Sequence, residues 1–290
     1  MTSPREQELG RALDAVRARL SRAAQAAGRD VADVELLPVT KFFPASDVVA
    51  LHHLGCNAFG ESRDQEATEK VAEVARSVPV DAIRWHMVGR IQRNKARSIA
   101  EWAYAVHSVD SLKVINALDR AAAEALDQGR RAAPLRVYVQ VSLDGDESRG
   151  GVDVAAPDRI DELCAAIEAA PGLDFVGLMA IPPVGADPDE AFARLSAERE
   201  RVQRHHSQRL ELSAGMSGDL EAAVEHGSTC VRVGTALLGS RPLTSPAVVT
   251  RVTPSSQTPD SAEGPRATES STSRTSSRTT PAPPHEGSSQ

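Results

Sequence analysis

Between residues 6 and 27, apolar side chains at Leu9, Leu13, Val16 and Leu20 recur at three- and four-residue spacing. That is the stripe of an amphipathic helix, and it predicts a helix that precedes the first strand and covers one end of the core. Beyond it, short apolar or β-branched runs at 34–39, 57–59, 83–88, 103–109, 135–141, 173–178, 210–213 and 230–233 alternate with longer helical patterns. The helical stretches are 46–54, 63–77, 91–101, 111–128, 157–170, 187–206 and 217–226, with Ser46 and Ser217 placed as N-caps. Regular strand–helix alternation implies parallel strands, and eight such units imply closure. The fold class is therefore α/β, a single (β/α)8 TIM barrel with an extra N-terminal helix; an open doubly wound sheet is the alternative.

The pattern stops near Pro242, and residues 243–290 turn to Ser, Thr, Pro and scattered charge with no apolar periodicity. A segment of this composition buries too little surface to offset its ordering entropy. The expected organisation is a barrel over 1–242 followed by a disordered C-terminal tail over 243–290. The net charge of -7 argues against a nucleic-acid partner, since such partners select a basic face. No run of about 18 apolar residues occurs, so no membrane span is expected. The acidic, signal-free start MTSPREQELG points to the cytoplasm. Cys56, Cys164 and Cys230 are odd in number and set among apolar residues, which reads as buried free thiols rather than a disulfide framework or a metal site. With aromatics at only 3%, each one is expected in the core.

In a barrel of this kind chemistry gathers where strands run out at their C-terminal ends. Strand one ends in PVTKFFP, which sets Lys41 between apolar neighbours; the other lysines, Lys70, Lys95 and Lys113, sit in polar helical stretches. A lysine in apolar surroundings near cations can attack a carbonyl, whereas a snorkelling lysine is the plainer explanation. Strand seven runs into LSAGMSGDLEAAVEHG, where Ser213, Gly215, Met216 and Ser217 make a small-residue turn opening a helix. Strand eight ends in CVRVGTALLG, where Gly234 and Thr235 open another. Two neighbouring helix starts of this kind form a phosphate cradle, against the simpler reading of ordinary capping. Alternation along VRVG turns Arg232 inward, where it needs a partner: a ligand, or a carboxylate in a structural salt bridge. Amine, cradle and arginine together fit a small molecule bearing both an aldehyde and a phosphate. His86, Arg90, Gln92 and Asn94 follow strand three and are placed to line the mouth or to cap the next helix.

The motifs VTKFFP, FGESRDQEA, HMVGRIQRNKAR, VHSVD, SRGG, GLMAIPP and LSAGMSGDLEAAVEHGSTCVRVGTALLG resemble, in order, the pyridoxal phosphate homeostasis protein family, from about Glu6 to Pro242. The resemblance implies a barrel like the N-terminal domain of alanine racemase. It implies pyridoxal 5'-phosphate as cofactor, held on Lys41 as a Schiff base, with Arg232 facing the pyridine nitrogen. Phosphate contacts are implied from Ser213, Ser217, Gly234 and Thr235, with Met216 beside them. The family's asparagine after FGE is replaced by Ser62, a position expected beside the cofactor, where a bridging water can substitute. The function implied is intracellular cofactor homeostasis without catalysis, by a monomer that supplies apoenzymes dependent on the cofactor. A racemase is the alternative, and it requires a second proton-transfer group opposite Lys41, for which His86 and His107 are the candidates. Independent of the family, an aldolase forming its Schiff base directly with a sugar phosphate is a third reading.

Overall fold

A computed structural model describes residues 3–240 of the chain. The expected domain boundary after 242 and the tail over 243–290 lie outside the described residues.

The first helix, α1 (Pro4–Ala26), begins at a reciprocal cap in which the Glu6 amide donates to Ser3 Oγ at 3.1 Å and the Ser3 amide donates to the Glu6 carboxylate at 3.2 Å. Strands and helices then alternate: β1 (Glu35–Pro38), α2 (Ala45–His53), β2 (Ala58–Glu61), α3 (Asp64–Val74), β3 (Arg84–Met87), α4 (Ala96–Trp102), β4 (Ala105–Val109), α5 (Leu112–Asp127) and β5 (Leu135–Ser142). A two-residue strand absent from the sequence reading, β6 (Val152–Asp153), pairs with the end of β5. The series continues through α6 (Pro157–Glu168), β7 (Leu173–Ala180), α7 (Pro188–Gln203), β8 (Glu211–Ser213), α8 (Leu220–Glu225), β9 (Cys230–Val233) and α9 (Thr235–Leu238).

Apart from β6, the strands pair in parallel in the order β1-β9-β8-β7-β5-β4-β3-β2. A bridge between Val39 and Gly60, with the Thr40 amide donating to Gly60 O at 2.9 Å, joins the two ends of this row into a barrel. The ring of helices is completed in an unexpected way. Because α9 is only four residues long, it cannot cover β9, and α1 packs against α2, α8 and α9 in the gap. Leu9, Leu13, Val16 and Leu20 thereby join Val231, Val233 and Leu237 in one buried cluster. The N-terminal helix thus fills the place of an eighth helix on the barrel's flank, correcting the expectation that it covers one end.

Both predicted N-caps are also corrected. Pro44, extended at ψ 161°, immediately precedes α2, so Ser46 falls inside the first turn. In the loop after β8, a turn over Met216–Asp219 places Asp219 at the start of α8. The Ser217 hydroxyl instead accepts the Ala236 amide of α9 at 3.1 Å, so it ties two neighbouring helices together.

Barrel interiors are usually filled by branched aliphatic layers. Here the centre is polar: His86, His107, Tyr138, Ser213 and Arg232 are all buried. The His107 ring stacks on Tyr138 at 4.3 Å between centroids, and His86 Nδ1 meets His107 Nε2 at 2.9 Å. Burial pushes the His86 pKa down to about 3, with help from Arg84 and Arg136, and burial likewise lowers His107 well below the ordinary value. Both rings are neutral in the folded chain. Unfolding exposes them to protonation, so it takes up protons below about pH 6.5, for His86 down to about pH 3. Their contribution to stability is therefore fully present above pH 6.5 and is lost as pH falls through that window, each histidine steepening the loss by about 1.4 kcal/mol per pH unit. Urea unfolding of His86→Phe between pH 7 and pH 4 is expected to show a pH slope shallower by roughly one proton; an unchanged slope would contradict this assignment.

Candidate functional site

Lys41 stands three residues beyond the end of β1, half-buried, on a turn whose next residue, Phe42, has φ of 71°. A positive φ at a side chain of this size costs on the order of 1–3 kcal/mol and persists only where the surroundings enforce it. The enforcing contacts are visible. The Phe42 amide donates to Glu66 Oε1 at 2.6 Å, and the Phe43 amide donates to Thr40 O at 3.1 Å. Beneath the turn, Lys70 Nζ donates to Thr40 O at 2.8 Å, to Glu61 Oε1 at 2.7 Å and to Glu66 Oε1 at 3.2 Å. The Thr40 hydroxyl completes the group by donating to Glu61 Oε1 at 2.6 Å. Glu61 is fully buried and Lys70 nearly so; desolvation raises the Glu61 pKa while Lys70 opposes the rise. The peptide that carries Lys41 is thus clamped from below by a buried ion pair. Above it, Lys41 Nζ lies 5.9 Å from the centre of the Phe42 ring.

The C-terminal mouth of the barrel encloses a cavity of about 320 Å³. Lys41, Met216, Ser217, Arg232, Gly234 and Thr235 all line it, together with Phe42, Phe43, Ile181 and Gly218. Two residues of the sequence reading stand elsewhere. Ser213 is completely buried under Arg232, and Ser62 is not part of the wall; its backbone packs so closely on Gly89 that a Cβ there would stand 2.1 Å from Ser62 O. His86 is inside the barrel, while Arg90, Gln92 and Asn94 are outside this cavity.

Arg232 was expected to need a ligand or a carboxylate. Among the described residues it makes no ion pair: NH1 donates to Ser213 Oγ at 2.6 Å and NH2 to Ala180 O at 2.9 Å, both neutral acceptors. Burial lowers its pKa from the usual arginine value. A buried guanidinium with only neutral partners keeps an uncompensated positive charge at the cavity wall. Opposite, the loop before α8 turns at Gly215, with φ of 90°, where a Cβ would meet Ala223 Cβ at 2.6 Å, so only glycine fits. The backbone N–H groups of Ser217, Gly218 and Thr235 have no hydrogen-bond partner among the described residues. Three unclaimed amides and two hydroxyls on one wall are the donor set an anion requires.

Sequence reasoning missed Lys70, which it set among polar helical residues. Its spacing from Ala67 and Val74, three and four residues away on the buried stripe of α3, was the available signal. Cys56, Cys164 and Cys230 are free and buried, as the composition implied. Among the described residues, no helix is long and apolar enough to cross a membrane.

The barrel and its lysine-bearing mouth define a protein of the alanine racemase N-terminal domain type, and the family described by that name matches residues 12–242. A relative from Mycobacterium leprae (strain TN), named pyridoxal phosphate homeostasis protein, is 59% identical over 247 residues, covering 83% of this chain and 96% of the relative. One of the same name from Corynebacterium glutamicum is 45% identical over 229 residues, 79% of this chain and 100% of the relative. The solved structure of PipY from Synechococcus elongatus PCC7942 with PLP bound matches with a TM-score of 0.66 and 32% identity, covering 80% of this chain and 100% of PipY. The chain belongs to the pyridoxal phosphate homeostasis protein family.

Proposed function

We propose that this chain binds pyridoxal 5'-phosphate at the Lys41 mouth as a Schiff base and serves cofactor homeostasis in the cytoplasm without turning over amino acids. The observation that carries the reading is the convergence on one cavity wall of the Lys41 amine, the Arg232 guanidinium and the unclaimed donors of Ser217, Gly218 and Thr235. The cofactor, when bound, supplies an aldehyde that condenses with a primary amine. Each part of the wall has its own task. The clamped turn fixes the direction of the Lys41 side chain, and the donors of Ser217, Gly218 and Thr235, with Gly234 beside them, would hold a phosphate by hydrogen bonds. Arg232 would hold the ring side of the cofactor and, as a permanent cation, would disfavour protonation of the ring nitrogen, weakening the electron sink that carbanion chemistry needs. Ser213 acts through Arg232, by fixing its NH1. Ser62 stands apart from the wall and reaches a ligand only through water.

In the same reading the chain works as a monomer and passes the cofactor to apoenzymes that depend on it. Ile181 and Met216, both exposed large hydrophobics at the rim, give the mouth an apolar lip of the kind a recipient surface meets. The racemase alternative lacks support from the geometry. Among the described residues lining the cavity there is no tyrosine, histidine or carboxylate, and His86 and His107 are engaged with each other inside the barrel. Alanine and serine are therefore expected to racemise no faster with the loaded protein than with free cofactor; steady racemisation lost in Lys41→Ala would overturn the carrier reading.

Titration of the purified protein with pyridoxal phosphate, followed by visible absorbance, tests the binding. Thr235→Ala removes one hydrogen bond to a charged group, a loss of roughly 1.5–3 kcal/mol, and is expected to weaken retention on the order of 10-fold or more. Unchanged affinity would place the phosphate elsewhere.

A further inference from the structure

A line of buried polar side chains runs from the Lys41 cavity into the barrel: Arg232 on β9, Ser213 on β8, His107 on β4 and His86 on β3. Of these, only Arg232 lines the cavity. Its guanidinium donates to Ser213 Oγ at 2.6 Å; Ser213 Oγ lies 2.8 Å from His107 Nδ1, and His107 Nε2 lies 2.9 Å from His86 Nδ1. The His107 ring is completely buried and stacks on Tyr138, which fixes its plane.

Distances alone do not order the protons along this line, because a hydroxyl and a neutral imidazole can each donate or accept. Charge decides it. Arg232 makes no ion pair among the described residues, and the field of its cation turns neighbouring dipoles so that lone pairs face the guanidinium and hydrogens point away. Ser213 then accepts from Arg232 and donates to His107 Nδ1, and His107 carries its own proton on Nε2 and donates it to His86 Nδ1. The reverse order aims a His107 Nδ1–H bond at the cation and leaves the Ser213 proton to the Cys230 thiol, a weak acceptor. Either order leaves His86 Nε2 without a partner among the described residues, so that atom does not choose between them. A hydroxyl that gives its proton away is also the stronger acceptor, so the bond to His107 tightens the bond from Arg232.

We propose that His107 is a positioning residue: by taking the Ser213 proton it holds the Arg232 guanidinium in place at the cavity wall, and so keeps the ring nitrogen of the cofactor unprotonated. The proposal rests on the reading that pyridoxal phosphate binds at this mouth with its ring beside Arg232. Without an acceptor at His107 Nδ1, the Ser213 hydroxyl is free to turn towards Cys230, and Ala180 O is left as the one fixed anchor of the guanidinium.

The first arm of the test needs no cofactor. In long-range ¹H–¹⁵N spectra of the cofactor-free, full-length chain labelled at histidine and arginine, His107 is expected to read as the Nε2–H tautomer. The Arg232 N–H signals, kept apart in the wild type by the acceptors Ser213 Oγ and Ala180 O, are expected to merge by rotation in His107→Phe, which preserves the stack on Tyr138. They should stay resolved in His107→Asn, whose amide oxygen takes the Ser213 proton. The second arm reads the loaded protein with ¹⁵N in the cofactor ring. As its neighbouring cation loosens, the ring nitrogen is expected to take up a proton at a pH higher by about one unit in His107→Phe, and at the wild-type pH in His107→Asn. An Nδ1–H tautomer on His107 in the unaltered chain, Arg232 signals or a ring-nitrogen titration unchanged in His107→Phe, or a His107→Asn protein that behaves like His107→Phe would each overturn the proposal. Wild-type protein that takes up no cofactor would instead sink the binding reading, and the first arm would then decide the positioning of Arg232 on its own.

Discussion

Lys41→Ala is expected to abolish covalent retention of pyridoxal phosphate while leaving the barrel folded. Among the described residues, the substitution removes the one primary amine on the wall of the C-terminal cavity, and no neighbouring lysine replaces it. Lys70 is closest in sequence, but its ammonium is held by Glu61, Glu66 and Thr40 O under the turn. Lys95 lies 3.7 Å from Asp64 on α3, outside the cavity. Because Lys41 is only half-buried, its loss should change unfolding free energy by about 0.5 kcal/mol, the usual scale for a position outside the core. Dialysed wild-type protein is expected to keep a visible absorbance that dialysed Lys41→Ala lacks, while the cofactor-free forms of the two proteins unfold at nearly equal urea midpoints. A variant that retains the absorbance would detach the lysine from the cofactor.

The second large effect is on stability. Lys70→Met leaves Glu61 fully buried with no cation, and breaking a buried pair from one side typically costs about 3–5 kcal/mol. It also releases Thr40 O and one of the contacts on Glu66, so the strained Phe42 turn loosens and the yield of cofactor bound through Lys41 should fall with the stability. Lys70→Met combined with Glu61→Gln removes the orphaned charge and is expected to recover a good part of the loss, a coupling that a double-mutant cycle reads directly. Urea unfolding of the two single variants and the double variant measures it. A Lys70→Met cost below about 1 kcal/mol, within the range of an exposed ion pair, would contradict the clamp.

Much of the barrel is written in the chain because parallel strands covered by helices turn an apolar face towards them, which leaves apolar runs even where Glu35, Arg136, Gln140 or Asp174 interrupts. The runs at 34–39, 135–141 and 173–178 could hardly be anything else. Lys41 and Arg232 were legible for a related reason: one follows a strand end, and the other breaks an apolar strand with a charge. What could not be read depends on contacts between distant segments. Ser217 looks like the cap of its own helix, but the turn over Met216–Asp219 hands its hydroxyl to Ala236. Ser213 sits beside the phosphate-like turn in sequence, yet the parity of β8 points it inward, under Arg232. Lys70 was hidden by its acidic neighbours, one of which, Glu66, pairs with it alongside Glu61 once α3 folds over β2. The flank position of α1 follows from the shortness of α9, a feature that no periodicity in α1 itself encodes.

The central claim is that Lys41 is the residue that holds the cofactor. Borohydride reduction of the loaded protein, followed by digestion and peptide mass mapping, fixes any imine in place and identifies its lysine. The account predicts a single reduced pyridoxyl adduct on the peptide containing Lys41; an adduct on Lys70, Lys95 or Lys113 instead, or none on a protein that still retains the cofactor, would contradict it.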